Sequence, residues 1–207
     1  MKKSKFLLGI LSAVGALVLS QCTRDMGGER AEANQSAGQS AGQYGGYESQ
    51  EKWGEHLVLT SACHDCHSPK VMTEKGMDID FSKALSGHPS EEPLFKVDRK
   101  QMESSGLIVT QTLTSWAGPW GVSYAANLTP DSTGIGNWKE SNFITAIRKG
   151  KYKGIESNRD LLPPMPWQMY QNMSDDELKA IFAYLKSIKP IRNVVPQPEP
   201  PVGAQAR

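Results

Sequence analysis

Cys63-His64-Asp65-Cys66-His67 is the stretch on which the reading of this chain turns. On a helical turn, positions i, i+3 and i+4 share one face, so both thiols and the second imidazole point the same way. Two thiols so placed can reach the two vinyl groups of a porphyrin while His67 meets its iron. The CxxCH spacing is accordingly the signature of covalent haem attachment. Other uses of the pattern fit less well. A thioredoxin-type CxxC needs a βαβ setting that the flanks do not supply. Zinc needs a second ligand pair, for which only His56, His64 and His88 remain. A plain disulfide leaves His67 unexplained.

Working outward, Trp53 to Ala62 reads as a helix leading directly into the cysteines. A second helix is expected from about Lys139 to Lys149, with Phe143, Ile144 and Ile147 inward and Gly150 as its stop. The clearest helix is C-terminal. Ser174 and Glu177 form a capping box, Asp175 and Asp176 place negative charge at the positive helix end, and Leu178, Ile181, Phe182 and Leu185 make the apolar stripe. Residues 68–137 are rich in Gly, Pro, Ser and Thr and show no sustained alternation. The expected fold class is therefore all-α: helices joined by long loops around one haem, with no sheet.

The ends have other tasks. Lys2, Lys3 and Lys5 precede a 14-residue apolar run, Phe6 to Leu19, which is the pattern of an export signal over residues 1–21. Leu19-Ser20-Gln21-Cys22 resembles a bacterial lipobox, with Cys22 as the lipidated first mature residue. Gln21 departs from the small residue usual there, and ordinary cleavage with a spare thiol is the alternative. Residues 22–52 read as a lipid-anchored flexible linker, since 23–52 hold no Leu, Ile, Val, Phe or Trp. The domain is expected over 53–189, and 190–207 as an extended tail carrying five of the 13 prolines. Of 23 basic residues, three lie in the signal, leaving 20 against 22 acidic ones. This balance excludes a polybasic nucleic-acid binder.

Gly54 nine residues before Cys63, the CxxCH, a late Met in a Pro-rich loop and a terminal amphipathic helix resemble a class I cytochrome c. Trp116-Ala-Gly-Pro-Trp120-Gly, Asn127-Leu-Thr-Pro-Asp131, Thr133-Gly-Ile-Gly136, Trp138 and Leu162-Pro-Pro-Met165-Pro-Trp167 are similar to mono-haem cytochrome c lipoproteins of Gram-negative bacteria. The likeness runs from about Trp53 to Pro196. It implies one covalent haem c and places an axial Met just before the terminal helix.

For the sixth position on iron, the mature chain offers Met26, Met72, Met77, Met102, Met165, Met169 and Met173. Met165 stands out because Pro163, Pro164 and Pro166 stiffen its backbone. Another Met, or His88 as a bis-His partner, is the alternative; His56 and His64 are expected at the surface or beside the haem. Trp116, Trp120, Tyr124, Trp138, Trp167 and Tyr170 are expected to pack on the ring or hydrogen-bond its propionates, with Asn127, Thr129 and Arg148 as weaker propionate candidates. His67 and Met165 stand 98 positions apart, and residues 70–125 carry extra length to which the sequence assigns no task.

Iron held by His67 and Met165 has no open position, so such a site exchanges electrons and is not an enzyme. The expected function is a periplasmic, membrane-tethered electron carrier, monomeric or in a complex. Its partners would be redox proteins: a dehydrogenase donor and an oxidase or other haem or copper acceptor. Two alternatives stand beside it, a haem subunit of a larger dehydrogenase complex and a five-coordinate haem enzyme or gas sensor.

Overall fold

In the computed structural model, residues 42–92, 98–100 and 108–203 are described. The export signal, Cys22 and Met26 lie outside the described residues, as do Met102 and most of the linker.

Helix α1 spans Gln50–Thr60 and starts three residues before the expected Trp53, because the Ser49 side chain caps it by accepting from the Lys52 N–H. It does not run into the cysteines. Ala62 takes a left-handed conformation (φ 57°), and a separate helical turn, α2 (Cys63–His67), begins beyond it. Helix α3 (Glu140–Lys149) ends at Gly150 with φ 62°, as its sequence pattern indicates. A short turn, α4 (Trp167–Tyr170), precedes α5 (Asp175–Ser187), whose Ser174/Glu177 capping box forms as expected.

Helices α1 and α5 cross at Gly54, where an added Cβ would run into the Ala180 carbonyl. Val58, Leu178, Ile181, Phe182 and Leu185 fill that crossing, and Phe143 and Ile147 of α3, with Leu85 and Ile135, complete the core. Each core side chain so removed from water stabilises the fold by about 1.5–3 kcal/mol before conformational entropy is charged against it.

The expectation of no sheet fails. Two small antiparallel sheets lie within the stretch that reads as loops. Strands β1 (Lys70–Thr73) and β2 (Gly76–Ile79) form a hairpin closed by Glu74 and Lys75. Strands β3 (Ile108–Val109), β4 (Ser115–Gly118) and β5 (Gly121–Tyr124) form a three-stranded sheet in that order, with Gly118 opposite Gly121. Every residue of β4 is buried, so no polar–apolar alternation marks it. Fold class is thus helical around the core with a small β portion, not all-α.

The Pro-rich stretch after Ile188 is extended but docked. Asn193 is buried, donating to the carbonyls of Ser86 (2.7 Å) and His88 (2.8 Å) and accepting from the Ser90 N–H (3.0 Å). Among the described residues no helix is long and apolar enough to cross a membrane.

Candidate haem site

The left-handed Ala62 turns the chain so that the CxxCH turn faces inward from the end of α1. Lys70 holds the far end of that turn. Its Nζ donates to the carbonyls of His64 (3.1 Å), Asp65 (2.9 Å) and Ser68 (2.6 Å) at the C-terminal end of α2, where His64 O also accepts from the Ser68 N–H (3.2 Å). The His64 ring is buried and pairs with Ser68 Oγ at 2.8 Å, while His56 is exposed against Tyr47.

Cys63, Cys66, His67 and Met165 line one cavity of about 310 Å³. Its remaining walls are mainly apolar, supplied by Leu128, Phe143, Ile147, Leu178, Ile181 and Leu185. A smaller lobe of about 110 Å³ shares Cys66, His67 and Met165 with it and is bounded by Trp116, Tyr124, Tyr152, Arg159 and Pro198.

Chemistry at the donors follows from their surroundings. His67 Nδ1 lies 2.8 Å from the Ala126 carbonyl, which can only accept, so Nδ1 carries the proton and Nε2 presents a lone pair. Burial holds the ring's pKa below its ordinary value and keeps it neutral. The two cysteines of the turn form no disulfide; before any haem is attached, burial pushes the Cys63 thiol up to about 12 and raises that of Cys66 as well. Two protonated thiols, one neutral imidazole and one thioether on an apolar cavity form a donor set that suits covalent haem. No group of three or more His, Cys, Asp or Glu able to hold a bare metal ion occurs among the described residues.

Met165 is held by its neighbours. Its own N–H bonds the Leu162 carbonyl (3.3 Å), the Leu161 N–H bonds Gly150 O (2.6 Å), and Ser123 Oγ donates to Pro163 O (2.6 Å). Trp120 Nε1 donates in turn to that Ser123 Oγ at 3.1 Å. The unforeseen sheet therefore braces the Met loop, which gives part of residues 70–125 a task. Met72, Met77 and Met169 are 66%, 50% and 70% exposed, which removes them as ligands; Met173 lines the cavity as well.

His88 lines neither lobe. It is fully buried against Thr114 Oγ1 (2.9 Å) and Tyr124, so the bis-His alternative has no geometric support. The weaker propionate candidates are engaged elsewhere. Asn127 and Thr129 bond each other and the Ile191 backbone, seizing the C-terminal segment. Arg148 joins Gln171 O and Asp175, pinning α3 to the start of α5. Among the aromatic residues, Trp116 and Tyr124 line the smaller lobe and Trp138 and Tyr170 the larger. Tyr170 also donates to Ser61 O at 2.7 Å, whereas Trp167 packs against Gly150.

Sequence reasoning passes over Tyr152 and Arg159. The guanidinium of Arg159 lies 4.1 Å from the centre of the Tyr152 ring, and both residues line the smaller lobe. Their only sequence signal is a cation six residues before Met165, in a stretch that reads as a connector.

This arrangement defines a covalent-haem domain, in which thiols, imidazole and thioether meet on one apolar cavity. The chain matches the cytochrome c family over residues 51–189 and belongs to it, so its cofactor is covalently bound haem c. It is similar to one of the subunits of the nicotinate dehydrogenase of Pseudomonas putida, 38% identical over 79 residues, which is 38% of this chain and 6% of that protein. It is also similar to the cytochrome c subunit of the quinone alcohol dehydrogenase of Gluconobacter oxydans, 36% identical over 142 residues, or 68% and 22% of the two chains. A third relative, the fructose dehydrogenase cytochrome subunit of Gluconobacter japonicus, is 34% identical over 86 residues, or 40% and 17%. The alignments thus span 6–22% of the length of these relatives.

Proposed function

We propose that the domain is a one-electron carrier holding a single haem c, with His67 and Met165 as its axial ligands. The observation that carries this reading is that the His67 lone pair, both free thiols and the Met165 loop converge on one apolar cavity. When bound, haem supplies an iron that cycles between ferrous and ferric states. The protein's residues hold it and keep water away: Cys63 and Cys66 anchor the ring, His67 donates Nε2, and the braced Met loop closes the other position. A thioether ligand and an apolar wall both favour ferrous iron and raise the potential. Arg159, the cation at the smaller lobe, is placed to meet a propionate.

Cys22 would carry the lipid anchor on the periplasmic side of a bacterial membrane, with the linker, expected over residues 22–52 and cut short by the start of α1 at Gln50, as the tether. A tethered domain meets its partners at a raised effective concentration. The donor is proposed to be a dehydrogenase. A second reading, a stable subunit of such a complex, is favoured by relatives whose names describe dehydrogenase subunits. Co-purification separates the two, because a shuttle makes small, brief contacts and a subunit remains bound. Met165→Ala is expected to keep covalent haem, lower the midpoint potential and let carbon monoxide bind. A wild-type potential and spectrum in that variant would remove Met165 from the iron.

A further inference from the structure

Residues 198–200 belong to a segment that reads in sequence as a tail, yet one of them forms part of the wall of the smaller lobe. Pro198 lines that lobe directly. Next to it, Glu199 is tied at both its backbone and its side chain. Its N–H and C=O pair with Val122 of β5 at 3.0 and 2.9 Å, adding one antiparallel bridge to the sheet. Its Oε1 accepts from the Tyr124 hydroxyl at 2.9 Å, and its Oε2 from Arg99 Nη1 at 2.6 Å. Arg99 Nη2 also reaches the Pro200 carbonyl at 2.7 Å. The sheet leaves room for this bridge, because a Cβ at Gly121 would collide with the Glu199 carbonyl.

Tyr124 and Pro198, the two residues fixed through or beside Glu199, both face the lobe that His67 and Met165 share. We propose that Glu199 is a positioning residue for the cofactor. It holds Tyr124 and Pro198 against the haem edge, and the docked segment excludes water there. The inference deepens the haem reading of the cavity; it needs covalent haem and does not depend on which residue takes the sixth position. Its physical content is a dielectric one. Water admitted at the haem edge stabilises ferric iron, so an opened wall lowers the potential.

Removing the carboxylate also changes the local charge, and the test must separate the two effects. Glu199→Gln and Glu199→Pro both remove the charge. Gln keeps the backbone bridge and an acceptor for Tyr124; Pro lacks the N–H that donates to Val122. The full chain of each variant, with its haem attached, is compared with wild type in two measurements: the midpoint potential, and hydrogen exchange at the Val122 amide. In Glu199→Pro, Val122 is expected to exchange freely and the potential to fall below that of Glu199→Gln. Equal potentials with an exchanging Val122 amide would show that the segment is a strap with no hold on the haem. A protected Val122 in Glu199→Pro would show that the retained carbonyl at 199 suffices and that neither the Glu199 carboxylate nor its N–H holds the segment, and would overturn the inference as surely. Failure of Met165 as a ligand shows separately, as carbon monoxide binding in wild type, and leaves this comparison intact.

Discussion

On the helical side of the molecule, Val58, Leu178 and Leu185 are 0–1% exposed and meet other apolar side chains. On the sheet side, Ser115, Ser123, Asn127, Thr129, His88 and Asn193 are buried as well, and each is held by hydrogen bonds. The two sides serve one cavity in different ways. Apolar contact makes a dry enclosure but fixes orientation loosely, and it suits the walls that surround a porphyrin. Hydrogen bonds are directional and costly to leave unmade, and they suit the placing of a particular loop. The Trp120–Ser123–Pro163 chain places Met165 in this manner, as Glu199 places Tyr124.

The contrast can be broken by substitution on either side. The largest effect is expected at Gly54→Val, where the new side chain must push α1 off the Ala180 carbonyl. A loss of at least about 3 kcal/mol, read by denaturant unfolding, follows from overpacking against backbone that cannot yield. Leu178→Ala, at a fully buried position on the cavity wall, is expected to cost about 2–5 kcal/mol. Asn193→Ala tests the polar side. It strands the buried carbonyls of Ser86 and His88 and the Ser90 N–H, for a loss of about 1–3 kcal/mol. A cost near zero would mean that the polar side is held by something other than these bonds.

Smaller effects sharpen the comparison. Ser174→Ala removes the cap of α5 and should cost about 1 kcal/mol. His88 gives the sheet side a pH dependence of its own. Burial holds its pKa below the ordinary 6.5, although Glu91 and Glu92 nearby raise it. Its Nδ1 meets Thr114, its ring meets Tyr124, and Glu92 stands 3.9 Å away. Between that lowered value and 6.5 the unfolded chain binds a proton that the folded chain refuses. Stability therefore rises with pH through this window and is lost on acidification below about 6.5. His88→Gln should flatten that slope in unfolding experiments between about pH 5 and 7.

The same contrast explains what could be read in advance. Helices α3 and α5 announce themselves through apolar stripes at helical spacing, a capping box and a terminal glycine, all local signals. The CxxCH turn is local too, and Met165 is marked by the prolines around it. The sheet side carries no such signals. Strand β4 is only four residues long and wholly buried, and Pro119 within the β4–β5 turn argues against a strand in sequence. Asn127 and Thr129 suggest cofactor contacts in sequence, because polar residues beside aromatic ones suit propionates. Their partner is instead Ile191, more than sixty residues away, and pairings at such separations leave no periodic trace. Proline content identifies the extended C-terminal segment, but its docking rests on scattered contacts with no periodicity, among them those of Ile191, Asn193 and Glu199.

On this account the iron is closed on both sides by protein ligands. The most direct test is the absorption spectrum of the reduced wild-type protein before and after addition of carbon monoxide. An unchanged spectrum is the expected result, because the braced Met165 loop holds the sixth position. A prompt shift would contradict that account and point to an open iron, the site of a haem enzyme or gas sensor.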